Sequence, residues 1–419
     1  MYQMAVLDNG LRVITSAMSH SRSVGVALLV GAGSCYEDQE EAGISHFVEH
    51  LCFKGTQRRP TAKEISQDIE GVGGILNAST DKEVTIFWCK VASSHLSIAL
   101  DVLSDLLLNS RFDASEMEKE RHVVLEEINM NLDLPQQRVG MLIDELLWPE
   151  QPLGREVIGT KETVSSIDRG QILSYVARRY APSNTVVCIA GHVEHEQAVS
   201  QIKPLLGDWS VTEVSTDYMS GDWQREARLR AEFKDGEQAH LCLGVRGFSR
   251  FHPQRFVLGL LNTVLGGGMS SRLFTEIRER RGLAYDIHSY VEHFLGSGSF
   301  VTYAGVDPSK VEIAVEAILQ ELSKLKQAIS PDELTRAKEL SKGRLQLRLE
   351  DSQNTALWLG GQELLRREIL DIDAVISMID AVTNDDLEQV ARELLSSDRL
   401  NLAVVGPISA QPSGELLRV

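Results

Sequence analysis

Gly43-Ile44-Ser45-His46-Phe47-Val48-Glu49-His50-Leu51 carries the most information of any stretch in this 419-residue chain, because it contains H-x-x-E-H. On an α-helix, side chains at i, i+3 and i+4 share one face. A helix over 43–54 therefore brings His46, Glu49 and His50 to one point, and Gly55 is a natural stop. Two imidazoles one turn apart can hold one zinc ion, and the glutamate beside them can take a proton from its water. Ile44, Phe47, Val48 and Leu51 give the remaining sides of the helix an apolar surface to pack. The bland alternative is an amphipathic helix with two surface histidines, and a third ligand is what decides against it.

That ligand has to come from a second helix. Residues 114–131, ASEMEKERHVVLEEINMN, supply Glu116, Glu118, Glu120, Glu126 and Glu127. Glu120 and Glu127 are two turns apart on one face, whereas Glu126 points about 100° away. Val123, Val124, Leu125 and Ile128 around them imply a half-buried helix, while Glu116 and Glu118 read as solvated.

Outward from these two helices the chain alternates strand and helix patterns. A hairpin is expected over 5–15 around Asp8-Asn9-Gly10, then strands over 23–30, 75–91 and 184–190. Thr61 with Glu64 forms a capping box that opens a further helix, and another helix covers 93–109. Residues 211–227 are polar and aperiodic and are expected to be a linker. The second half then replays the first: a strand over 238–247, helices, a long helix opening at Ser330-Pro331-Asp332-Glu333, and a closing strand over 400–405. The expected fold class is α+β. Two similar domains, 1–215 and 225–419, would each be a mostly antiparallel sheet packed with helices.

Composition narrows the function classes. A net charge of −18 is unfavourable for nucleic acid, whose phosphates need a basic face, so no such partner is expected. No apolar run reaches the roughly 20 residues of a membrane span, and no secretion signal is visible at the start. Cys35, Cys52, Cys89, Cys188 and Cys242 are odd in number and scattered, which fits buried free thiols in a reducing cytoplasm.

His46-x-x-Glu49-His50, then 76 residues, then Glu127 is similar to the signature of the pitrilysin family of inverzincins. That family includes insulin-degrading enzyme, pitrilysin and the mitochondrial processing peptidase. The resemblance continues through ERHVVLEEI at 120–128 and Leu76-Asn77-Ala78-Ser79-Thr80, enters the second half, and covers essentially the whole chain. In length the chain resembles the single-unit processing-peptidase subfamily. The resemblance implies a zinc endopeptidase acting on unstructured or presequence-like peptides, with zinc on His46, His50 and Glu127 and with Glu49 as general base. Glu120 would orient a ligand, and Leu76–Thr80 would begin the edge strand that binds peptide by β-augmentation. Arg278 and Tyr285, in RERRGLAY at 278–285, resemble the family's R-x6-Y element, which contacts the substrate and the oxyanion. Taken alone, that segment would read as a helix end with a capping glycine and a packed tyrosine.

The resemblance further implies that the two domains form half of a clamshell, and because every catalytic part it implies lies on this one chain, a homodimer closing around a chamber is the simpler expectation. Two alternatives belong to the same family: a non-catalytic structural core-type subunit, and the active subunit of a heterodimer. Processing peptidases tend to carry acidic residues about ten and fourteen positions after the ligand glutamate, to read an arginine near the cleavage site. Here those positions hold Gln137 and Met141, with Asp133, Asp144 or Glu145 as substitutes. Gly266-Gly267-Gly268-Met269-Ser270-Ser271-Arg272 lacks the P-loop spacing and resembles the glycine-rich loop of processing-peptidase subunits. His192-Val193-Glu194-His195 reads as a surface turn.

Overall fold

The run SVGVALLV at Ser23–Val30 has no polar side chain after its first residue, and it forms a strand buried on both faces. The computed structural model describes residues 2–215, 217–221, 224–408 and 412–419. In chain order its strands are β1 (Tyr2–Val6), β2 (Arg12–Ala17), β3 (Ser23–Val30), β4 (Ile75–Thr80), β5 (Thr85–Ala92) and β6 (Thr185–Gly191), followed by β7 (Arg228–Phe233), β8 (Ala239–Gly247), β9 (Ala284–His293), β10 (Gly298–Val306) and β11 (Asn401–Gly406). They build a six-stranded sheet ordered β1-β2-β6-β3-β5-β4 and a five-stranded sheet ordered β7-β11-β8-β10-β9. The β2–β6 pair is parallel, and β6–β3, β3–β5 and β5–β4 are antiparallel. The second sheet repeats this pattern strand for strand, with β7–β11 parallel and the other three pairs antiparallel. The replay legible in the sequence is therefore a repeat of topology, to which the first half adds β1.

The strand-like run at 75–91 is two strands. Asp81-Lys82-Glu83 interrupts it, because the Asp81 carboxylate accepts the Lys82 N–H at 2.7 Å and the Asp81 N–H reaches the Val84 carbonyl at 2.9 Å. The capping box at Thr61 and Glu64 forms as expected. Residues 209–227 contain no helix or strand among the described residues.

The compact units differ from the contiguous domains 1–215 and 225–419. The first unit comprises Met1–Ile128, Glu156–Tyr218 and Gln346–Asp371, and the second comprises Asn129–Arg155, Met219–Leu345 and Ile372–Val419. Each half of the chain thus lends one helix to the other half's sheet. Period alone could not announce this, since an apolar stripe does not say which sheet will cover it. In the first unit, Ala356 and Leu359 of the borrowed helix Ser352–Arg366 join a core with Ile14, Ala27, Leu29, Val186, Cys188 and Ala190. Arg12 and Glu363 pair at 3.2 Å, both buried. In the second unit the borrowed helix Pro135–Leu147 buries Val139, Leu142, Ile143 and Leu147. Its Arg138 grips Glu232 through two bonds of 2.8 Å.

Glycine lets the first borrowed helix come this close. A Cβ on Gly25 would lie 2.7 Å from the Cα of Gln353 and 2.8 Å from its backbone nitrogen. Gly25→Ala is therefore expected to lower stability by about 1–3 kcal/mol, the usual range for forcing atoms into a packed contact. Gly140 lies within the helix Pro135–Leu147, and a Cβ there would meet nothing within 4 Å. Gly140→Ala is expected to be neutral or to stabilise by up to about 1 kcal/mol. Thermal and denaturant midpoints of the two variants check the contrast, and equal effects would refute the close-approach account.

Candidate metal centre

The helix Ile44–Cys52 buries Ile44, Phe47, Val48 and Leu51, so its opposite face is turned toward the helix Ala114–Asp133. A buried acid, Glu37, fixes its first turn. One Glu37 oxygen accepts the Gly43 N–H and the other accepts the Ser45 N–H, each at 2.8 Å. Gly43 adopts φ 93°, and a Cβ there would meet the Ile158 carbonyl at 2.5 Å. Glu37 escaped the sequence analysis because it caps from outside the local N-cap pattern.

This placement brings His46 Nε2 and His50 Nε2 to 3.2 Å from each other. Glu127 Oε2 stands 3.8 Å from the first and 3.7 Å from the second. A point equidistant from the three atoms lies about 2.1 Å from each, the length of a zinc–imidazole bond. Among the described residues these three are the group of His, Cys, Asp and Glu side chains close enough to hold a metal ion. Glu126, the neighbouring acid, is exposed on another face.

Glu120 is buried beneath the histidines, at 6 % exposure. One of its oxygens accepts the His50 Nδ1 proton at 2.9 Å, and the other pairs with Lys54 Nζ at 2.7 Å. In the neutral tautomer with the proton on Nδ1, the lone pair of His50 sits on Nε2 and faces His46 and Glu127. Lys54 was not singled out in the sequence, although it continues the i, i+4, i+8 spacing of His46 and His50.

The protonation states follow from the surroundings. Burial, and then the charge of His50, lowers the His46 pKa to about 3, so its imidazole is neutral. Burial also opposes charge on His50, but the Glu120 hydrogen bond and the charges of Glu49, Glu120 and Glu127 outweigh it and raise the pKa. For Glu120, burial is outweighed by the bonds from His50 and Lys54, and the carboxylate is held below its ordinary range. Burial raises the Glu49 pKa against an opposing hydrogen bond from Thr80, whose Oγ1 donates to Oε2 at 2.9 Å. A raised carboxylate pKa suits a group that must both take and return a proton.

Thr80 is the last residue of β4, so the edge strand ends at Glu49. Leu76, Asn77, Ala78, Ser79 and Thr80 all lie in β4, which pairs on one side with β5 and has no strand on its other side among the described residues. Arg278 and Tyr285 belong to the second unit, Arg278 in the helix Phe274–Arg280 and Tyr285 in β9. The Arg278 guanidinium lies 5.2 Å from the centre of the Tyr285 ring. Tyr285 is 76 % exposed, so it is not the packed tyrosine that its sequence alone would allow. Asp133 pairs with Lys234 and Glu145 with Arg138 and Arg230, so both acids are already engaged by cations of their own unit. His195 opens the helix His195–Leu206 behind Glu194, which caps it, and its Nδ1 meets Thr15 Oγ1 at 2.8 Å. The five cysteines are free and buried, and burial pushes the Cys52 thiol up to about 12. Among the described residues no helix is long and apolar enough to cross a membrane.

Comparison with known proteins shows the family. The sequence pattern of the insulinase family, peptidase family M16, matches residues 12–161, and that of the peptidase M16 inactive domain matches 166–341. An uncharacterized zinc protease of Bacillus subtilis is 35 % identical over 407 residues, covering 97 % of this chain and 98 % of the relative. One of Mycobacterium leprae is 38 % identical over 417 residues, covering 97 % and 92 %. In fold, a protease from Helicobacter pylori superposes with a TM-score of 0.93 at 24 % identity, covering 97 % of this chain and 99 % of that one. A chain of complex III2 from Candida albicans reaches 0.88 at 18 % identity, covering 99 % and 98 %. Because the two patterns span most of the sequence and the relatives match it nearly end to end, the chain belongs to the pitrilysin, or insulinase, family, peptidase family M16.

Proposed function

We propose that this chain is a zinc endopeptidase of extended, unstructured peptides, with its metal held by His46, His50 and Glu127. At the coarser level of the family it is a zinc protease, the description its relatives carry. The observation that carries the finer proposal is the triangle of two Nε2 atoms and one carboxylate oxygen, with Glu49 on the same helix face. Two imidazoles and a carboxylate suit zinc, and Glu120 would hold His50 in the ligating tautomer once His50 has given up its second proton. Bound there, zinc supplies Lewis acidity that acidifies water and polarises a carbonyl.

Glu49 is the general base. Its carboxylate takes the proton of the attacking water, and the same group returns it to the departing amine. The hydrogen bond from Thr80 holds Glu49 at the end of β4. The open side of β4 at Leu76–Thr80 receives the peptide as an added strand, which only extended chain can form. Arg278 and Tyr285 are assigned to substrate contact and to the developing oxyanion, in keeping with the exposure of Tyr285. Every part resides on one chain, which favours a homodimer, and the reduced thiols favour the cytoplasm.

Metal analysis of the purified protein is expected to give close to one zinc per chain. His46→Ala, His50→Ala and Glu127→Gln should each lower it, and Glu126→Gln should not. A site emptied by Glu126→Gln and left full by Glu127→Gln would reverse the choice between the two glutamates. Glu49→Gln should keep its zinc while turnover falls by roughly 10²–10⁴. Near-normal turnover in that variant would remove Glu49 from its role. Unstructured peptides should be cut while a stably folded domain survives, and equal cleavage of both would count against strand addition at β4.

Assembly is tested by complementation, on the hypothesis that Arg278 and Tyr285 serve the zinc of the partner chain. Glu49→Gln and Tyr285→Phe should each be impaired alone. Refolded together in equal amounts, about half of the dimers are mixed, and each mixed dimer has one intact site. Activity should recover to about a quarter of the wild-type value. If mixed dimers form but activity stays at the mean of the two variants, each chain completes its own site.

A further inference from the structure

In the second unit, Ser270-Ser271, just after the glycine-rich turn at Gly266-Gly267-Gly268, and the first turns of the helix Pro331–Arg348 line a half-open cavity of about 120 Å³. Its walls include Thr263, Val264, Ser270, Ser271, Arg336 and Leu340. The turn is tight and pinned. A Cβ on Gly267 would lie 2.6 Å from the Thr263 Cα, and Arg344 Nη1 donates to the Gly267 carbonyl at 2.7 Å.

One buried polar side chain in this wall has nothing to bind. Ser271 is only 5 % exposed, yet its hydroxyl has no hydrogen-bond partner. A buried hydroxyl carries a desolvation penalty unless an acceptor meets it. Arg336, a solvent-exposed residue at the mouth, also lines the cavity, and among the described residues its guanidinium makes no hydrogen bond or ion pair. The acid in the wall, Glu333, is already satisfied. Arg272 grips its two oxygens at 2.7 and 2.9 Å, and the Ser330 N–H reaches it at 2.9 Å. With the Arg272–Glu333 pair neutral as a unit, Arg336 leaves the cavity one positive charge and two hydroxyl donors.

We propose that this cavity binds a small oxyanion, a phosphate or a carboxylate, with Arg336 as its charge partner and the Ser270 and Ser271 hydroxyls as donors. A guanidinium matches a planar or tetrahedral oxyanion through paired N–H donors, and the serine hydroxyls supply the shorter bonds. Val264, Ala337 and Leu340 form the apolar part of the wall beside them. Such binding holds whether or not the chain cleaves peptides, because none of these residues belongs to the metal centre.

Calorimetric titration of the full-length protein tests this with three probes at constant ionic strength: inorganic phosphate, an N-acetyl dipeptide with a free C-terminal carboxylate, and the amide of the same dipeptide. Phosphate, the peptide acid or both should bind saturably, and the amide should not. Binding of the acid alone assigns the pocket to a peptide carboxylate, and binding of phosphate alone to a free ion. Arg336→Gln should weaken binding about tenfold or more, and Ser271→Ala severalfold. Arg348→Gln, an exposed arginine outside the pocket, should bind like the wild type. Zinc content and thermal midpoint identify any variant that has misfolded, and Ser270→Ala then serves in its place. The proposal is overturned if no probe binds, if the amide binds as well as the acid, or if Arg336→Gln and Arg348→Gln behave alike.

Discussion

The helix Ile44–Cys52 can bring His46, Glu49 and His50 to one point only if it is held at a fixed rotation and a fixed height, and Glu37 does much of that holding. A buried carboxylate that accepts two N–H groups of the first turn satisfies donors that would otherwise be orphaned, and it complements the positive end of the helix. The apolar side then sets the rotation, since Phe47, Val48 and Leu51 cannot leave the core without exposing large side chains. Ser45 adds a hydroxyl contact of 2.6 Å to Tyr175. With rotation and height fixed, His46, Glu49 and His50 have one place to point.

That place is crowded with negative charge. Glu49, Glu120 and Glu127 converge on two histidines, and Lys54 is the cation bonded to Glu120. Like charges at such range repel strongly in a partly buried site. The environment sorts them by burial and hydrogen bonding. Glu120 stays ionised because His50 and Lys54 both donate to it, whereas Glu49 is pushed toward its protonated form because burial outweighs the single bond from Thr80. Two carboxylates on neighbouring helices are thereby held in different states, one ionised against an imidazole and the other, Glu49, with the raised pKa that its proposed role requires.

The scaffold beneath is a duplicated sheet with exchanged helices. Each sheet places its parallel pair at one side and ends on an edge strand, β4 in the first and β9 in the second. These edges carry the residues assigned to substrate, Leu76–Thr80 and Tyr285. The exchange of the helices Pro135–Leu147 and Ser352–Arg366 means that neither half of the sequence completes its own core. Small residues permit it, as at Gly25 and at Gly360, where a Cβ would come 2.4 Å from Leu29.

Much of this was legible in the sequence. H-x-x-E-H on a helix, two glutamates two turns apart on a second helix, and the repeated order of elements follow from helical and strand periods, which are local properties of the chain. For the same reason the capping box at Thr61 and the strand at Ser23–Val30 were readable. Other features depended on contacts between residues far apart in sequence. Glu37 caps a helix from outside its N-cap, Lys54 meets Glu120 across 66 positions, and Thr80 reaches back to Glu49. The trade of helices between the two sheets is of the same kind. An amphipathic stripe encodes that a face will be buried and by which residues; which surface buries it is decided only when the chain has folded and the competing sheets offer their grooves.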